Sequence, residues 1–153
     1  TQKGHNYKYI VLFQILEHIH DVDAFMQYLL ELLLPGGMLL IAVPNNNSLV
    51  FDVKKNNLYN DKALLLNLPP HHTGKWTPVS LKLFAKYYNL EINDILYEPL
   101  YDARIELVIN NLTDKYFSLF KQSKLLNSLV RKLVLRRKNN IHGDTVFVSL
   151  IKK

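Results

Sequence analysis

The segment spanning residues 9–45 constrains the fold of this chain more than any other part of the sequence. It opens with an apolar run, Tyr9–Phe13, whose β-branched and aromatic residues are typical of a strand covered on both faces. From Asp21 the apolar residues recur at helical spacing, which predicts a helix that ends at Pro35-Gly36-Gly37. The apolar run Met38–Val43 predicts a second buried strand. Two strands joined by a helix indicate a right-handed parallel crossover.

The rest of the chain predicts further elements of an α/β domain. Thr77-Pro78 is typical of a helix start, and Ile92–Tyr97 and Thr145–Ile151 are strand candidates. Residues 45–67 are polar and rich in asparagine, which favours an excursion with short helical turns. With 153 residues, of which 48% are hydrophobic, the chain is long enough to bury one core, so we expect a single domain over residues 1–153.

The basic charge of the chain is concentrated in residues 114–138. The formal net charge is +6, and this segment holds eight basic residues against one acidic residue. Its apolar residues fall on one helical face, with Lys124, Arg131 and Lys138 opposite, so we expect a basic amphipathic helical insertion before the last strand. Such a helix either packs on its own domain with a solvated basic face or lies on an anionic membrane surface. No nucleic-acid-binding motif accompanies the charge, so we expect no nucleic-acid partner.

Composition excludes several classes of protein. No apolar run approaches the roughly 20 residues that a membrane-spanning helix needs, and Thr1–Asn6 does not resemble a signal peptide. The chain has no cysteine, which excludes disulfides and thiolate metal sites and is compatible with a reducing compartment. We expect a cytoplasmic protein.

Several segments, taken in order, carry a resemblance to a known family. Residues 10–19 (IVLFQILEHI) and 34–45 (LPGGMLLIAVPN) resemble the second half of class I S-adenosylmethionine-dependent methyltransferases. Pro70-His71-His72, Trp76-Thr77-Pro78 and the final Thr145–Lys153 resemble the subgroup that methylates small molecules, sugars and lipid-linked intermediates. The resemblance implies an incomplete doubly wound, Rossmann-like sheet, with strands similar to the family's fourth to seventh and an antiparallel last strand.

The chain departs from the family pattern in the part that binds the cofactor. Members of the family begin with a glycine-rich loop after the first strand and have an acidic residue at the end of the second, which holds the ribose hydroxyls. None of the glycines in this chain forms a G-x-G after a strand, and Lys8 stands where the family usually has an aspartate. The glycines are Gly4, Gly36, Gly37, Gly74 and Gly143. We therefore expect a truncated C-terminal portion of a methyltransferase, with weak or absent binding of S-adenosylmethionine by this chain alone.

The resemblance places several residues near the cofactor. Phe13 and Gln14, at the end of the fourth-like strand, would contact its methionine or adenosyl part. Glu17 and His18 follow on the loop where open α/β sheets bind ligands, and we assign Glu17 to cofactor binding and His18 to catalysis. In the alternative interpretation, Glu17 caps the helix that begins near Asp21, and His18 only packs locally.

His71 and His72 are the other candidate catalytic residues. An imidazole titrates near neutral pH, and the preceding proline pair fixes its direction. The alternative is that paired loop histidines act only as hydrogen-bond anchors. No metal-ligand pattern links them with His5, His20 or His142, so we expect no metal site.

Asn45 and Trp76 are the candidate acceptor-binding residues. Asn45 follows a strand end, where it could line the acceptor pocket or merely end the strand. Trp76 could stack on a substrate, although aromatic residues at this spacing more often belong to a core.

These observations predict the acceptor-side half of an S-adenosylmethionine-dependent methyltransferase that acts on a small molecule, sugar or lipid-linked intermediate and is inactive as a fragment. The alternative is a degenerate methyltransferase fold that serves as a binding or assembly module without catalysis. Because the fourth-like strand would expose an apolar edge, we also expect a homodimer formed by edge pairing or swapping.

Overall fold

The computed structural model describes residues 6–48, 69–117 and 123–153. Its strands are β1 (Tyr7–Phe13), β2 (Leu33–Pro44), β3 (Leu90–Pro99) and β4 (His142–Lys152). Its α-helices are α1 (Val22–Leu32), α2 (Pro78–Tyr87), α3 (Asp102–Tyr116) and α4 (Lys124–Arg136). Short 3₁₀ turns lie at Leu16–His18 and Lys138–Asn140. The helical turns expected within residues 45–67 fall mostly outside the described residues.

The four strands form one mixed sheet in the order β1-β2-β4-β3. β1 and β2 are parallel and are joined through α1, as the apolar pattern predicts. β4 is antiparallel to both β2 and β3. The expected α/β class and the antiparallel last strand are therefore confirmed.

The boundary between α1 and β2 differs from the prediction. The helix ends at Leu32, and Pro35-Gly36-Gly37 lies inside β2 instead of ending the helix. Leu33 already has extended backbone angles, φ −85° and ψ 128°, and its side chain is buried. The Lys152 ammonium donates to the carbonyl oxygens of Leu30 and Leu33 at 2.5 and 2.8 Å. It thus supplies hydrogen bonds to carbonyl groups that the end of the helix leaves without a partner, before the chain reaches Pro35.

The main core lies on one face of the sheet, where α1 and α2 cover it. Buried side chains from both helices and from the sheet form one cluster, which includes Leu12, Met26, Ile41, Leu81, Phe84 and Val148. The expectation that β1 is covered on both faces is wrong, because Val11 and Phe13 on its other face are about 60% exposed. An all-apolar strand has no polar alternation from which the exposed face could be predicted.

Helices α3 and α4 pack against each other and bury a second, smaller core. Ile105 and Val108 of α3 meet Val130 and Val134 of α4 in this cluster. The basic segment 114–138 comprises the end of α3, residues 118–122, which lie outside the description, and α4 up to Lys138, the first residue of the turn that follows. It precedes β4, the last strand of the sheet.

Candidate functional site

Two loops meet at the carboxyl end of β1. The first is the turn Leu16–His18, and the second, residues 71–76, is called the histidine loop below. The backbone N–H groups of Thr73 and Gly74 both donate to the carbonyl oxygen of Glu17, at 2.9 and 3.0 Å. The hydroxyl of Thr73 lies 3.2 Å from the same oxygen and from that of Ile19. These bonds fix the histidine loop against the turn after β1.

The chain leaves β1 through a strained residue. Gln14 has φ +53°, a left-handed backbone that is uncommon for residues other than glycine. Its N–H donates to the carbonyl oxygen of Ala42 in β2 at 2.9 Å, so the residue is held at the carboxyl edge of the parallel pair. Phe13, just before it, is 63% exposed and lies 6.4 Å from the ring of Phe147. Such strain often occurs at ligand-binding positions.

Three ionisable side chains of these two loops lie close together. Ligand atoms of Glu17, His18 and His72 all lie within 4.8 Å of one another, and we call this group the acid–imidazole cluster. The rings of His18 and His72 meet edge to face with centroids 4.7 Å apart. Nδ1 of His18 donates to the carbonyl oxygen of His71 at 2.6 Å. His71 therefore contributes its backbone to the site, while its own side chain is exposed.

Glu17 is the most unusual member of the cluster. Its side chain is only 1% exposed, and neither carboxyl oxygen has a hydrogen-bond partner among the described residues. Burial raises the pKa of this carboxyl above its ordinary value, and its own backbone and the charge of His18 oppose the rise. The interpretation of Glu17 as a helix cap does not hold, because the Asp21 side chain accepts the N–H of Ala24 at the start of α1.

The imidazole of His72 is half-buried and lies beside that of His18. Burial, followed by repulsion from His18 and His71, lowers the pKa of His72. All three causes disfavour the imidazolium, so the ring favours its neutral form, with one nitrogen lone pair.

Asn45 is buried at the end of β2, but its polar groups serve the local turn. Its N–H donates to the carbonyl oxygen of Asp144 at 2.6 Å, and its side-chain oxygen accepts the N–H of Asn47 at 3.2 Å. The next N–H, of Asn46, donates to the carbonyl oxygen of Trp76 at 2.9 Å, which ties this turn to the histidine loop. An acceptor-binding role for Asn45 stays a prediction.

Trp76 packs mainly as a core residue. Its ring meets Phe84 edge to face at 5.4 Å, and it joins the main core. The indole N–H is buried, and no acceptor for it lies among the described residues. Gly74 permits this packing, since a Cβ there would lie 2.8 Å from the indole nitrogen. Trp76 thus anchors the histidine loop, which also carries His72, to the main core.

The open face of the sheet holds an apolar hollow of about 370 Å³ that the sequence did not predict. Phe13 lies in its wall, together with Val11, Met38, Leu40, Leu96 and Phe147. It is separate from the acid–imidazole cluster, which lies in the loops at the strand ends.

The comparisons with known proteins identify the family. A model of the methyltransferase domain family matches residues 1–106, and the chain belongs to this family of S-adenosylmethionine-dependent enzymes. No protein with curated annotation matches the sequence significantly.

Solved structures share the fold at low sequence identity. A SAM-dependent methyltransferase from Archaeoglobus fulgidus is 16% identical with a TM-score of 0.51, over 97% of this chain and 61% of its own. The plantazolicin methyltransferase BpumL, solved with SAH, is 13% identical with a TM-score of 0.52, and the match covers 100% of this chain and 54% of BpumL. The [4+2]-cyclase SpnF is 11% identical with a TM-score of 0.50, and the match covers 97% of this chain and 50% of SpnF. The chain thus spans about three-fifths or less of the length of these proteins.

S-adenosylmethionine is the cofactor of the family, and the described residues fit only part of it. Phe13 and Gln14 lie at the strand end where the resemblance places the cofactor. Gly37, Gly74 and Gly143 are crowded by the chain's own atoms at 2.7 to 3.0 Å, so they serve close packing and form no open cradle for a nucleoside. If the resemblance holds, Phe13 and Gln14 would supply one wall of a cofactor site, and the rest would have to come from other residues.

Among the described residues, no helix is both long and apolar enough to cross a membrane.

Proposed function

We propose that this chain is the acceptor side of an S-adenosylmethionine-dependent methyltransferase that acts on a small molecule, a sugar or a lipid-linked intermediate. The observation that supports this most is the position of Glu17, His18 and His72 at the carboxyl end of β1. Open α/β sheets bind ligands at that edge. Chemically active side chains on loops fixed to a rigid sheet are typical of an active site.

Methyl transfer makes modest demands on the protein. The donor supplies an electrophilic methyl group bound to sulfur, and the protein aligns an acceptor atom with it for an in-line displacement. An acceptor hydroxyl or ammonium also has to lose a proton. His71, with its exposed ring on the histidine loop, is the candidate base, while the ring of His18 is held by the carbonyl of His71.

The chain alone should bind the cofactor weakly and be inactive. Family members hold the nucleoside with a glycine-rich loop and an acidic residue, and no such loop is found in this sequence. Methyl transfer would then need residues outside this 153-residue chain.

The test is transfer of a labelled methyl group by the protein joined to its upstream in-frame coding sequence. We expect label in low-molecular-weight acceptors, and we expect His71→Ala to lower the turnover while cofactor binding is kept. Label that appears only in protein or nucleic acid, or no transfer to any acceptor pool, would contradict the proposal.

An assembly module without catalysis is the second candidate, favoured by the exposed apolar side of β1. This strand is an edge of the sheet, and Tyr9, Val11 and Phe13 are each more than half exposed. A second copy that pairs along β1 and packs its own open face against these side chains would cover them. Light scattering should then report a dimer that Val11→Lys converts to a monomer, and a monomer at high concentration in both proteins would contradict this candidate.

Helix α4 also offers a surface for an anionic membrane. Leu125, Leu129 and Leu133 form an exposed stripe at a spacing of four residues, with the exposed Lys132 and Arg136 beside it. Apolar side chains flanked by cations are typical of helices that lie in the interface of anionic bilayers.

Vesicle sedimentation tests this surface. We expect binding to vesicles that contain phosphatidylserine, a steep loss with salt, and loss in Leu129→Glu. Ser128→Glu, which adds the same charge at an exposed neighbour without removing a leucine, should bind better than Leu129→Glu. Equal binding to uncharged vesicles, or a flat salt response, would contradict the proposal.

A further inference from the structure

We propose that Glu17, His18 and His72 bind one divalent transition-metal ion of the zinc class. This inference does not rest on methyl transfer, because metal binding can be measured without cofactor or acceptor. It replaces the expectation of no metal, which considered only the spacing of the histidines and omitted Glu17.

The donor set and its spacing fit such an ion. One carboxylate and two imidazoles are hard-to-borderline ligands that zinc accepts in three-ligand sites. Their ligand atoms lie within 4.8 Å of one another, whereas a tetrahedral site with bonds of about 2.0–2.1 Å needs roughly 3.4 Å between ligands. Small side-chain rotations would close this difference, since the three groups already lie side by side.

The buried carboxylate is an independent indication of a missing cation. Both oxygens of Glu17 are buried and have no hydrogen-bond donor among the described residues. Buried carboxylates are normally paired with a cation or with several donors, because an unpaired buried charge is costly. A bound dication would supply the partner that the described side chains do not.

The hydrogen bond between His18 and His71 is of the kind that a metal-binding histidine makes to a neighbouring group that does not itself bind the metal. Nδ1 of His18 donates to the carbonyl oxygen of His71 at 2.6 Å, which fixes the tautomer and leaves Nε2 with the lone pair. Ligating imidazoles usually donate their other N–H to a carbonyl or carboxylate in this way. The histidine loop thus provides both an orienting carbonyl and, at His72, a ligand.

Three protein ligands leave a coordination position open. In zinc sites of this type the open position holds water or a substrate atom. The cluster lies at the ligand-binding edge of the sheet, so the open position would be available to an oxygen or nitrogen atom of an acceptor.

The test is calorimetric titration of Zn²⁺ into the 153-residue protein and its variants. We expect one ion per chain in the wild type. In Glu17→Gln and His72→Ala the affinity should fall more than about 100-fold, since loss of an outer contact alone typically costs roughly 10- to 100-fold. His20→Ala removes an exposed histidine outside the cluster and should bind as the wild type does. Equal affinity in the wild type, Glu17→Gln and His72→Ala would overturn the proposal.

Thermal unfolding keeps the test valid if a variant is less stable. Without metal, Glu17→Gln should melt at or above the wild-type temperature, because it removes a buried unpaired carboxyl. With Zn²⁺ the wild type should gain stability and Glu17→Gln should not, which reverses the order. A purely structural role for Glu17 predicts the same order in both conditions, and that result would overturn the metal site.

Discussion

The carbonyl oxygen of Glu17 accepts two hydrogen bonds from Thr73, from its backbone N–H at 2.9 Å and from its hydroxyl at 3.2 Å. The two residues are 56 positions apart in the sequence. These bonds therefore hold the histidine loop on the turn after β1, and the acid–imidazole cluster depends on that attachment.

Thr73→Val should loosen this attachment. The change keeps the shape and the backbone N–H but removes the hydroxyl that contacts the carbonyl oxygens of Glu17 and Ile19. We expect the free energy of unfolding to fall by about 0.5–1.5 kcal/mol in urea titrations. Thr73→Ser keeps the hydroxyl and should cost less. A Thr73→Val protein as stable as the wild type would show that the hydroxyl does not hold the loops together.

Gly74→Ala should displace the indole of Trp76. The added Cβ would lie 2.8 Å from the indole nitrogen, so the ring has to move within the core. We expect a loss of about 1–3 kcal/mol in the free energy of unfolding and a changed emission spectrum of this single tryptophan. In a Trp76→Phe background, the same glycine change should cost less, and an equal cost would place the clash elsewhere.

Lys152→Met should destabilise the end of α1. The ammonium donates to the carbonyl oxygens of Leu30 and Leu33, and methionine keeps the apolar stem without these bonds. We expect the free energy of unfolding to fall by about 1–3 kcal/mol. The exposed neighbour Lys153 supplies the control, since Lys153→Met should change stability little. Equal effects of both changes would exclude the capping role.

Tyr88 should make stability decrease at alkaline pH. Burial, then its hydrogen bond to Asp23 at 3.1 Å and the charge of that carboxylate, raise the pKa of Tyr88 from 10.0 to about 12. As the pH rises above about 10, the unfolded chain loses this proton first, so the free energy of unfolding falls until about pH 12. Below about pH 10 the group is protonated in both states and contributes no slope.

Comparison of Tyr88→Phe with the wild type isolates this effect. The difference in free energy of unfolding between the two proteins should be constant up to about pH 10 and then shrink. Tyr28→Phe, at an exposed position of α1, should run parallel to the wild type over the same range. A constant difference for Tyr88→Phe up to about pH 12 would contradict the raised pKa.

The local sequence pattern predicted which strands and helices form better than it predicted where each one ends or which face of a strand is exposed. The apolar run of β1, the helical spacing of α1 and the return to apolar residues in β2 reflect neighbouring residues, and all three elements form. The end of α1 was misplaced because Lys152, far along the chain, satisfies the last carbonyls. Which face of β1 is exposed depends on where α1 and α2 pack, which an apolar run does not encode.

The three members of the acid–imidazole cluster were among the candidate residues of the sequence analysis, but the sequence did not predict that they would meet. Glu17 and His18 were singled out from the position of their loop, and His72 from its proline-preceded turn. That they meet follows from the pairing of Thr73 with Glu17, a contact across the fold that no spacing rule provides. The unpartnered state of the Glu17 carboxyl also appears only once the chain is folded.

Calorimetric titration of S-adenosylhomocysteine tests the central claim most directly, with the 153-residue chain and with the protein joined to its upstream coding sequence. The account predicts no measurable or only weak binding to the chain alone and saturable one-to-one binding to the joined protein. Tight binding by the 153 residues alone would contradict the claim that they form only the acceptor side. No binding by the joined protein would contradict the proposed methyltransferase.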